Sequence, residues 1–381
     1  MSLTPVGKLA VLILVVAVAG GSYYEFRQHM AAKPAQQDWS QSQPEITQQQ
    51  APATTPVPVQ PPAPTSAYVA QQDTLKSILT NRVVRVSVEN PSDPFYSSEG
   101  GLPHGFNVDF DKLLFGQSEF GAATIRVDTK HEVTTYAAVP QQLLINDGDG
   151  HPVVDIAMDG LTFQDNTPPG VVYTDPYVTD FGYALIVKSG SPIRSAADLS
   201  GKTIGILQGD PDVKAFVTRM YPNSTIKTVS DSDPHFIDKS VDDQVVDAFV
   251  YDYPFAVDSI KDTDLKFAVS KLDGSDISYK IGVRSSSQSL LFALNSAIAK
   301  VKQSPAYLDL LRKYFISNQV VTVAAVSGEH TYVVRAGDTL NLIASSQMGS
   351  GSKYGLIQKR NNLPNPNLIL IGQKLVIPAR S

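Results

Sequence analysis

The sequence predicts an α/β fold followed by a small βααβ unit. Three observations predict it. Short β-branched runs alternate with helical stretches from residue 73 to 316, and such alternation builds an open, largely parallel sheet. The stretch from Gly160 to Tyr177, GLTFQDNTPPGVVYTDPY, follows an apolar run from Val153 to Met158. Small and hydroxylated residues at a strand end bring bare amides and a hydroxyl to a crevice rim, where small polar ligands bind. Residues 331–379 hold a second, separate pattern of strand, helix, helix and strand.

Composition narrows the function. A chain of 381 residues with 42% hydrophobic content exceeds one typical domain and can bury a sizeable core. Its net charge of −6, with no basic patch, argues against a nucleic-acid partner, because phosphate backbones call for clustered Lys and Arg. Zero cysteines exclude disulfides, Cys-ligated zinc, thiol catalysis and a lipid anchor on Cys.

At the N-terminus, Lys8 precedes an apolar run from Leu9 to Ala19, a Gly pair and Tyr23-Tyr24. Residues 5–24 have about the length that spans a bilayer core, with the Tyr pair at the interface. A retained transmembrane helix is the preferred expectation, since a single positive side chain precedes the run. A cleavable leader ending at Ala17-Val18-Ala19 is the alternative. Either way the remainder is exported. Residues 30–67 are rich in Gln, Pro, Ala, Ser and Thr; such a segment cannot bury enough surface to offset its chain entropy and reads as a disordered tether.

The α/β part opens with a short helix from Asp73 to Leu79, capped by Asp73 or Thr74, and a strand from Arg82 to Val88. After a loop from Asn90 to Leu102, the run from Gly105 to Asp111 leads into an amphipathic helix with Asp109 read as its cap. A strand from Thr124 to Asp128 and a helix from Thr135 to Leu144 precede the strand that ends in the crevice stretch. Beyond it come a strand within Gly182 to Val187, then Thr203 to Asp210 as strand, Gly turn and helix start. The Walker and dinucleotide glycine spacings are absent. Val246 to Asp252 is another buried-type strand, Tyr279 to Val283 another, and Leu290 to Phe315 holds two helices. Strand ends are where ligand groups collect in open α/β sheets, which singles out Asp252.

Across residues 73–316 these signatures resemble the periplasmic solute-binding proteins of the amino-acid-binding type, family 3. Gly105-Phe106-Asn107-Val108-Asp109-Phe110 is similar to that family's Gly-Phe-Asp-Val-Asp-Leu, and Leu199-Ser200-Gly201-Lys202 through Gln208-Gly209 to its Leu-Gly-Lys-Val-Gly-Val-Gln-Gly-Thr. The resemblance implies a two-lobed periplasmic-binding-protein fold with a hinge. Lobe one would be 73–183 and 279–316, lobe two 184–278, shutting over a ligand. It also implies ligand-binding residues: Phe95, Asp159, Gly160, Thr162, Thr167, Asp210 and Asp252, the last at the position that pairs with a ligand ammonium. One departure matters. Aligned without a gap, the family's carboxylate-binding Arg falls on Thr167, and no Arg or Lys lies from Val153 to Val187. A hydroxyl cannot replace a bidentate guanidinium. Asp210, near Asp212, stands where the family often has Thr; with Asp159, Asp252 and Asp93 it makes the expected crevice acidic. A free carboxylate there would meet uncompensated negative charge. The expected ligand is therefore cationic or neutral; a degenerate scaffold that binds nothing small is the alternative.

At the C-terminal end, Tyr332-Val333-Val334-Arg335 reads as a strand and Gly337-Asp338-Thr339-Leu340 as a helix start capped by Asp338. Tyr354, Leu356 and Ile357 fall on a second helix, and residues 374–378 form the closing strand. The set Tyr-x-Val-x-x-Gly-Asp-Thr-Leu, Asn-x-Leu-x-Asn-Pro-Asn-Leu-Ile and Gly-Gln-Lys-Leu-x-Ile-Pro resembles a LysM domain, with Ile371 in place of the usual Pro. That resemblance implies binding of N-acetylglucosamine glycan, chiefly peptidoglycan, between two loops. The candidate residues are Gly337, Asp338, Thr339 and Leu340 in the first, with Asn367, Leu368 and Ile369 in the second.

Catalysis finds no support. Glu89, Glu99, Glu119, Glu132 and Glu329 lie in no transglycosylase-like Glu-Ser motif, the six His show no metal spacing, and no Gly-x-Ser-x-Gly occurs. No cofactor is called for. The expected protein is an inner-membrane-anchored envelope binding or sensing protein facing the periplasm, with a small-molecule ligand and peptidoglycan as partners. The substrate-binding component of an amino-acid-type ABC transporter, with a permease partner, is the first alternative. A cell-wall enzyme related to transglycosylases is the second.

Overall fold

The computed structural model describes residues 73–162, 167–233, 235–316 and 325–379. The expected anchor at 5–24 and tether at 30–67 lie outside them. Among the described residues no helix is long and apolar enough to cross a membrane.

The chain enters through helix α1 (Thr74–Asn81), whose N-cap Asp73 accepts from the Leu75 and Lys76 amides. Strand β1 (Val83–Glu89) follows, then α2 (Phe106–Leu114), β2 (Arg126–Val133), β3 (Ile156–Leu161), β4 (Val171–Tyr173) and β5 (Val178–Phe181). With β11 (Ile277–Arg284) these strands form the first sheet, in the order β2-β1-β3-β11-β4, with β5 also paired to β11. The second sheet takes β6 (Tyr183–Lys188), β7 (Thr203–Leu207), β8 (Thr225–Val229), β9 (Ala248–Asp252) and β10 (Leu265–Val269), in the order β10-β6-β9-β7-β8. Helices α3 (Pro211–Met220), α4 (Phe236–Asp242) and α5 (Tyr253–Ser259) connect the second sheet, while α6 (Gln288–Lys302) and α7 (Pro305–Phe315) return to the first.

Two expectations are corrected here. The sheets are mixed: β1 runs parallel to β2 and β3, but β11 is antiparallel to β3, β4 and β5, and β6 is antiparallel to β9 and β10. Each lobe takes in one strand arriving from the other lobe, and that strand runs against its neighbours. The helix expected from Thr135 to Leu144 is two 3₁₀ turns, Tyr136–Ala138 and Pro140–Leu144. Pro140 has no N–H to give and its ring clashes with the carbonyl four residues back, which breaks an α-helix at that point. The second strand also starts later than expected and runs to Val133, in parallel register with β1 from Val83↔Arg126 to Glu89↔Val133.

The chain crosses between lobes at Gly182 and again between β10 and β11. The two crossings press together. A Cβ on Gly182 would lie 2.5 Å from the Ser275 hydroxyl and 2.6 Å from its carbonyl oxygen, a separation that only glycine permits. The Tyr183 amide donates to that same hydroxyl at 2.9 Å.

The small C-terminal unit holds β12 (His330–Val333), α8 (Leu340–Met348), α9 (Tyr354–Arg360) and β13 (Lys374–Ile377), with β12 antiparallel to β13. Val334, Leu340, Ile343, Ala344, Met348, Ile357, Leu363, Ile369, Leu375 and Ile377 form its core; each large aliphatic buried there stabilises by roughly 1.5–3 kcal/mol relative to exposure. Asn361 ties helix to strand, donating to the Val376 carbonyl at 2.6 Å and accepting from the Val376 amide at 2.7 Å.

Two capping assignments also change. The N-cap of α2 is Gly105, not Asp109; Asp109 pairs with Lys112 and Lys313, both at 2.7 Å, and accepts from the Tyr314 hydroxyl. At α8 the cap is Thr339, whose hydroxyl accepts from the Leu342 amide. Asp338 instead accepts from the Tyr332 hydroxyl at 2.9 Å and the Arg335 amide at 2.7 Å, closing the loop that leads into the helix.

Candidate functional site: the crevice between the lobes

The lobe-one wall is the end of β3. Asp159 is fully buried, and one of its carboxylate oxygens accepts from the Glu89 amide at 3.2 Å. The other has no partner of hydrogen-bonding geometry, although the Ser92 hydroxyl partly offsets its burial. Burial, with the nearby Glu89 charge adding to it, pushes this carboxyl well above the usual range. Gly160 is next, at φ +56°. Its amide donates to the Tyr177 hydroxyl at 3.3 Å; that hydroxyl donates to Asn107 at 3.0 Å, and Asn107 donates to the Met158 carbonyl at 3.1 Å. A buried side-chain relay thus fixes the turn, and satisfied polar networks of this kind rigidify what they hold.

The lobe-two wall is the ends of β7 and β9. Asp210 caps α3, accepting from the Val213 amide at 2.9 Å. Burial raises its pKa, opposed by that amide and reinforced by Asp212. Asp252 ends β9 and begins α5, and accepts from the Tyr279 hydroxyl of β11 at 2.8 Å, a hydrogen bond that joins the lobes. Asp252 is partly buried. Burial first, then the Asp210 charge, push its pKa up to about 7 against the Tyr279 bond.

The crevice is closed by its own side chains. Phe255, on α5, packs on Phe95 with ring centroids 4.7 Å apart, and Phe95 in turn meets Tyr279 at 5.1 Å. A Cβ on Gly160 would come within 2.9 Å of Phe255 Cζ. Glycine therefore serves close approach here, letting a lobe-two ring rest on the lobe-one turn. Tyr136, from the first 3₁₀ turn, places its hydroxyl 2.9 Å from the Thr162 amide, which donates to it, and a long 3.5 Å from the Gly160 carbonyl. Burial pushes the Tyr136 hydroxyl pKa up.

Asp159, Gly160 and Thr162 thus lie at the end of β3, Asp252 at the end of β9 and Asp210 just beyond β7, with Phe95 in the loop after β1. Thr167 hydrogen-bonds with Tyr173 of β4. Four participants were not anticipated: Tyr136, Phe255, Tyr279 and Glu89. Glu89 ends β1, and burial followed by the Asp231 charge pushes its pKa up to about 7. The rule that found Asp252, that ligand groups collect at strand ends, also points to Glu89. The groups acting on Glu89, Asp159, Asp210 and Asp252 are other carboxylates, a tyrosine, a serine and backbone amides. Among the described residues, no guanidinium is among the groups that act on these four carboxyls.

In the C-terminal unit, Gly337 and Thr339 flank the Asp338 loop closure, whereas Leu340, Leu368 and Ile369 are buried at 2%, 4% and 6% exposure. Those three positions can offer a glycan little beyond backbone groups. Among the described residues, Asp147, Asp149 and His151 also lie close enough to share a cation, all exposed. One Asp147 oxygen already accepts from the Asp149 and His151 amides, so the grouping follows from the turn itself.

Two α/β lobes joined by a double crossing, with polar groups at the facing strand ends, define a solute-binding clamp. Residues 84–317 match the family described as bacterial extracellular solute-binding proteins, family 3, more than half of the chain, and the protein belongs to that family. Residues 332–378 match the LysM domain, so the chain is a family 3 clamp fused to a C-terminal LysM module. It is 25% identical over 241 residues to a probable histidine-binding protein of Neisseria gonorrhoeae, covering 61% of this chain and 83% of that one. It is 26% identical over 254 residues to the lysine/arginine/ornithine-binding periplasmic protein of Escherichia coli, covering 62% and 88%. Among solved structures, an ancestral cationic amino acid solute binding protein shares the fold with a TM-score of 0.51 at 24% identity, over 64% of this chain and all of that one. These relatives are named as binding proteins, and the family is extracytoplasmic.

Proposed function

We propose that the protein is an envelope binding or sensing protein: a clamp for a small cationic or neutral ligand, tethered to the inner membrane by residues 5–24 and 30–67 and held to peptidoglycan by its LysM module. The observation that carries the ligand class is the carboxyl set at the crevice. Glu89 with Asp159 on lobe one, and Asp210 with Asp252 on lobe two, have raised pKa values, and Thr167 stands where the family's carboxylate-binding Arg is expected. A positive charge placed among them relieves mutual repulsion, whereas a carboxylate adds to it. The names of the relatives, which include histidine-binding and lysine/arginine/ornithine-binding proteins, support a basic amino acid or its amide. The Thr162 amide, taken by Tyr136 in the closed crevice, would receive a ligand oxygen once Tyr136 swings aside.

Isothermal titration of the full chain with lysine, ornithine, histidine, lysine amide and putrescine, against glutamate and leucine, tests this reading. Lysine amide and putrescine binding more tightly than lysine, ornithine and histidine supports it; tight binding of glutamate or leucine, or of the free amino acids in preference to lysine amide and putrescine, refutes it. The names of the relatives also favour a second reading, a transport receptor. Release from the membrane fraction by a high-salt wash, together with permease and ATPase reading frames beside the coding sequence, would select that reading.

A further inference from the structure

The second LysM loop is partly covered by the clamp, with Asn367 still exposed. Asn365 is 1% exposed and donates to the Thr179 carbonyl at 2.9 Å, and Asn367 donates to the Asp180 carboxylate at 3.2 Å. Asn362, just before them, accepts from the Ser270 amide at 2.6 Å and reaches the Phe267 carbonyl at 3.4 Å. Lys359 on α9 pairs with Asp273, and Arg312 of α7 donates to the Ile369 carbonyl at 3.5 Å. Leu368 packs into the clamp's main core cluster, while its neighbour Ile369 belongs to the LysM core.

These partners lie around the hinge. Thr179 and Asp180 sit on β5, immediately before the first crossing; Ser270 and Asp273 belong to the second. Phe267 is on the second-lobe sheet and Arg312 is on a helix of the first. The LysM module therefore touches both lobes and both crossings: residues 365–369 reach β5 and α7, and Lys359 with Asn362 reaches the second lobe and second crossing.

We propose that this loop has two mutually exclusive occupants: the clamp's hinge, as seen here, and an N-acetylhexosamine glycan. The proposal rests on the reading of residues 365–369 as one wall of the glycan groove. A sugar chain entering that groove presents acetamido and hydroxyl groups, which must replace the hydrogen bonds now made by Asn365 and Asn367. Leu368 cannot leave the clamp core while the loop stays docked. Wall binding thus requires undocking, and undocking frees the hinge from a module that grips both lobes. The coupling is reciprocal, as linkage between two sites requires. A docked-to-free ratio of about ten lowers the apparent glycan affinity by about the same factor.

The test uses the full chain and insoluble peptidoglycan in a sedimentation assay. An Asp180→Gly/Asp273→Lys variant removes one docking acceptor and turns the Lys359 pair into a repulsion, with both changes on the clamp and outside the crevice and the LysM module. Glycine suits position 180, whose φ is +71°. This variant is expected to bind glycan at least about threefold more tightly than the wild type, since the docked fraction scales the apparent constant. Conversely, a Lys359→Cys/Asp273→Cys variant joined by a short bis-maleimide, specific because the chain has no cysteine, should lose glycan binding. Equal binding by wild type, released and cross-linked forms overturns the exclusion and leaves the glycan reading standing. No binding by any form overturns the glycan reading and the exclusion with it.

Discussion

Closing the crevice on its own carboxyls should make the ligand-free clamp open as pH rises. Asp252 and Glu89 have pKa values pushed from 3.8 and 4.5 up to about 7, with Asp210, Asp212 and Asp231 as the charges that face them. Shifts of that size correspond to about 4 and about 3 kcal/mol of preference for the neutral acids. Both side chains keep some solvent contact, which screens about half, and Asp210 and Asp212 share lobe two with Asp252 and stay beside it when the lobes part, so the closure-dependent share is on the order of 1–2 kcal/mol together. The sign follows from linkage: a raised acid pKa means the closed form holds protons that the open form releases. The penalty is therefore absent near pH 4, grows through neutrality and is complete above about pH 7. Dyes on Leu102→Cys and Met220→Cys, exposed positions in lobes one and two, report the lobe separation by energy transfer. It should widen between pH 5 and 8.5 and close again when putrescine or lysine amide is added at pH 8.5. An Asp252→Asn/Glu89→Gln variant should stay closed throughout. An unchanged separation in the wild type, or a variant that follows the wild type, would defeat the reasoning.

Two further substitutions probe the parts that position the crevice. Asp111, on α2, is 3% exposed with one carboxylate oxygen unpartnered, and burial pushes its pKa up to about 8. Asp111→Asn should therefore stabilise the chain by about 2–4 kcal/mol at pH 8 and by nothing near pH 4; urea unfolding at both values checks it, and a pH-independent difference counts against it. Gly160→Ala places a Cβ against Phe255 at φ +56° and should cost about 1–2 kcal/mol from the left-handed backbone alone. The same dye pair should then read a wider crevice at pH 5, because the Phe255 ring must retreat; an unchanged separation would mean that the ring is not what seats the lobes.

What could be read from sequence and what could not divides along sequence distance. The strands showed as β-branched runs because each needs only its own residues to present a pleated, buried face. Gly160 and Asp252 followed from where those strands end. Pro140 shows the limit of periodicity: the apolar spacing from 135 to 144 fits a helix, and one missing N–H vetoes it. Glu89 stands at a strand end like Asp252, yet weighing glutamates only as acid catalysts hides it. Tyr136 reaches the Gly160 turn from a 3₁₀ turn of its own lobe and Phe255 from α5 of the other, and no local pattern announces the Phe255 contact, which exists only when two lobes shut. The Asn365 and Asn367 contacts are harder still. Their partners Thr179 and Asp180 lie more than 180 residues earlier in the chain, and the Asn-Pro-Asn-Leu-Ile motif reads as a glycan wall whichever surface it faces.

Three features that looked separate in the sequence meet at the hinge. The Tyr279–Asp252 hydrogen bond spans the lobes within the crevice, the Gly182–Ser275 contact locks the two crossings together, and the LysM loop covers those crossings from outside. On the proposed reading closure is decided by a sum: carboxyl repulsion opposes it, the Phe95–Phe255 contact and LysM docking favour it, and a bound cation removes the opposing term. An aromatic pair contributes about 0.5–1.5 kcal/mol and a docked-to-free ratio of about ten about 1.4 kcal/mol, and an equilibrium balanced by terms of this size can be moved by one ligand. Loss of the carboxylate-gripping Arg fits this arrangement. With a guanidinium in the crevice the ligand-free carboxyls would already be neutralised, and neither pH nor a cation would have much left to decide. Thr167, which bonds Tyr173, brings no positive charge, so on the proposed reading the charge of the guest is what closes the clamp and the docked wall module biases how readily that happens.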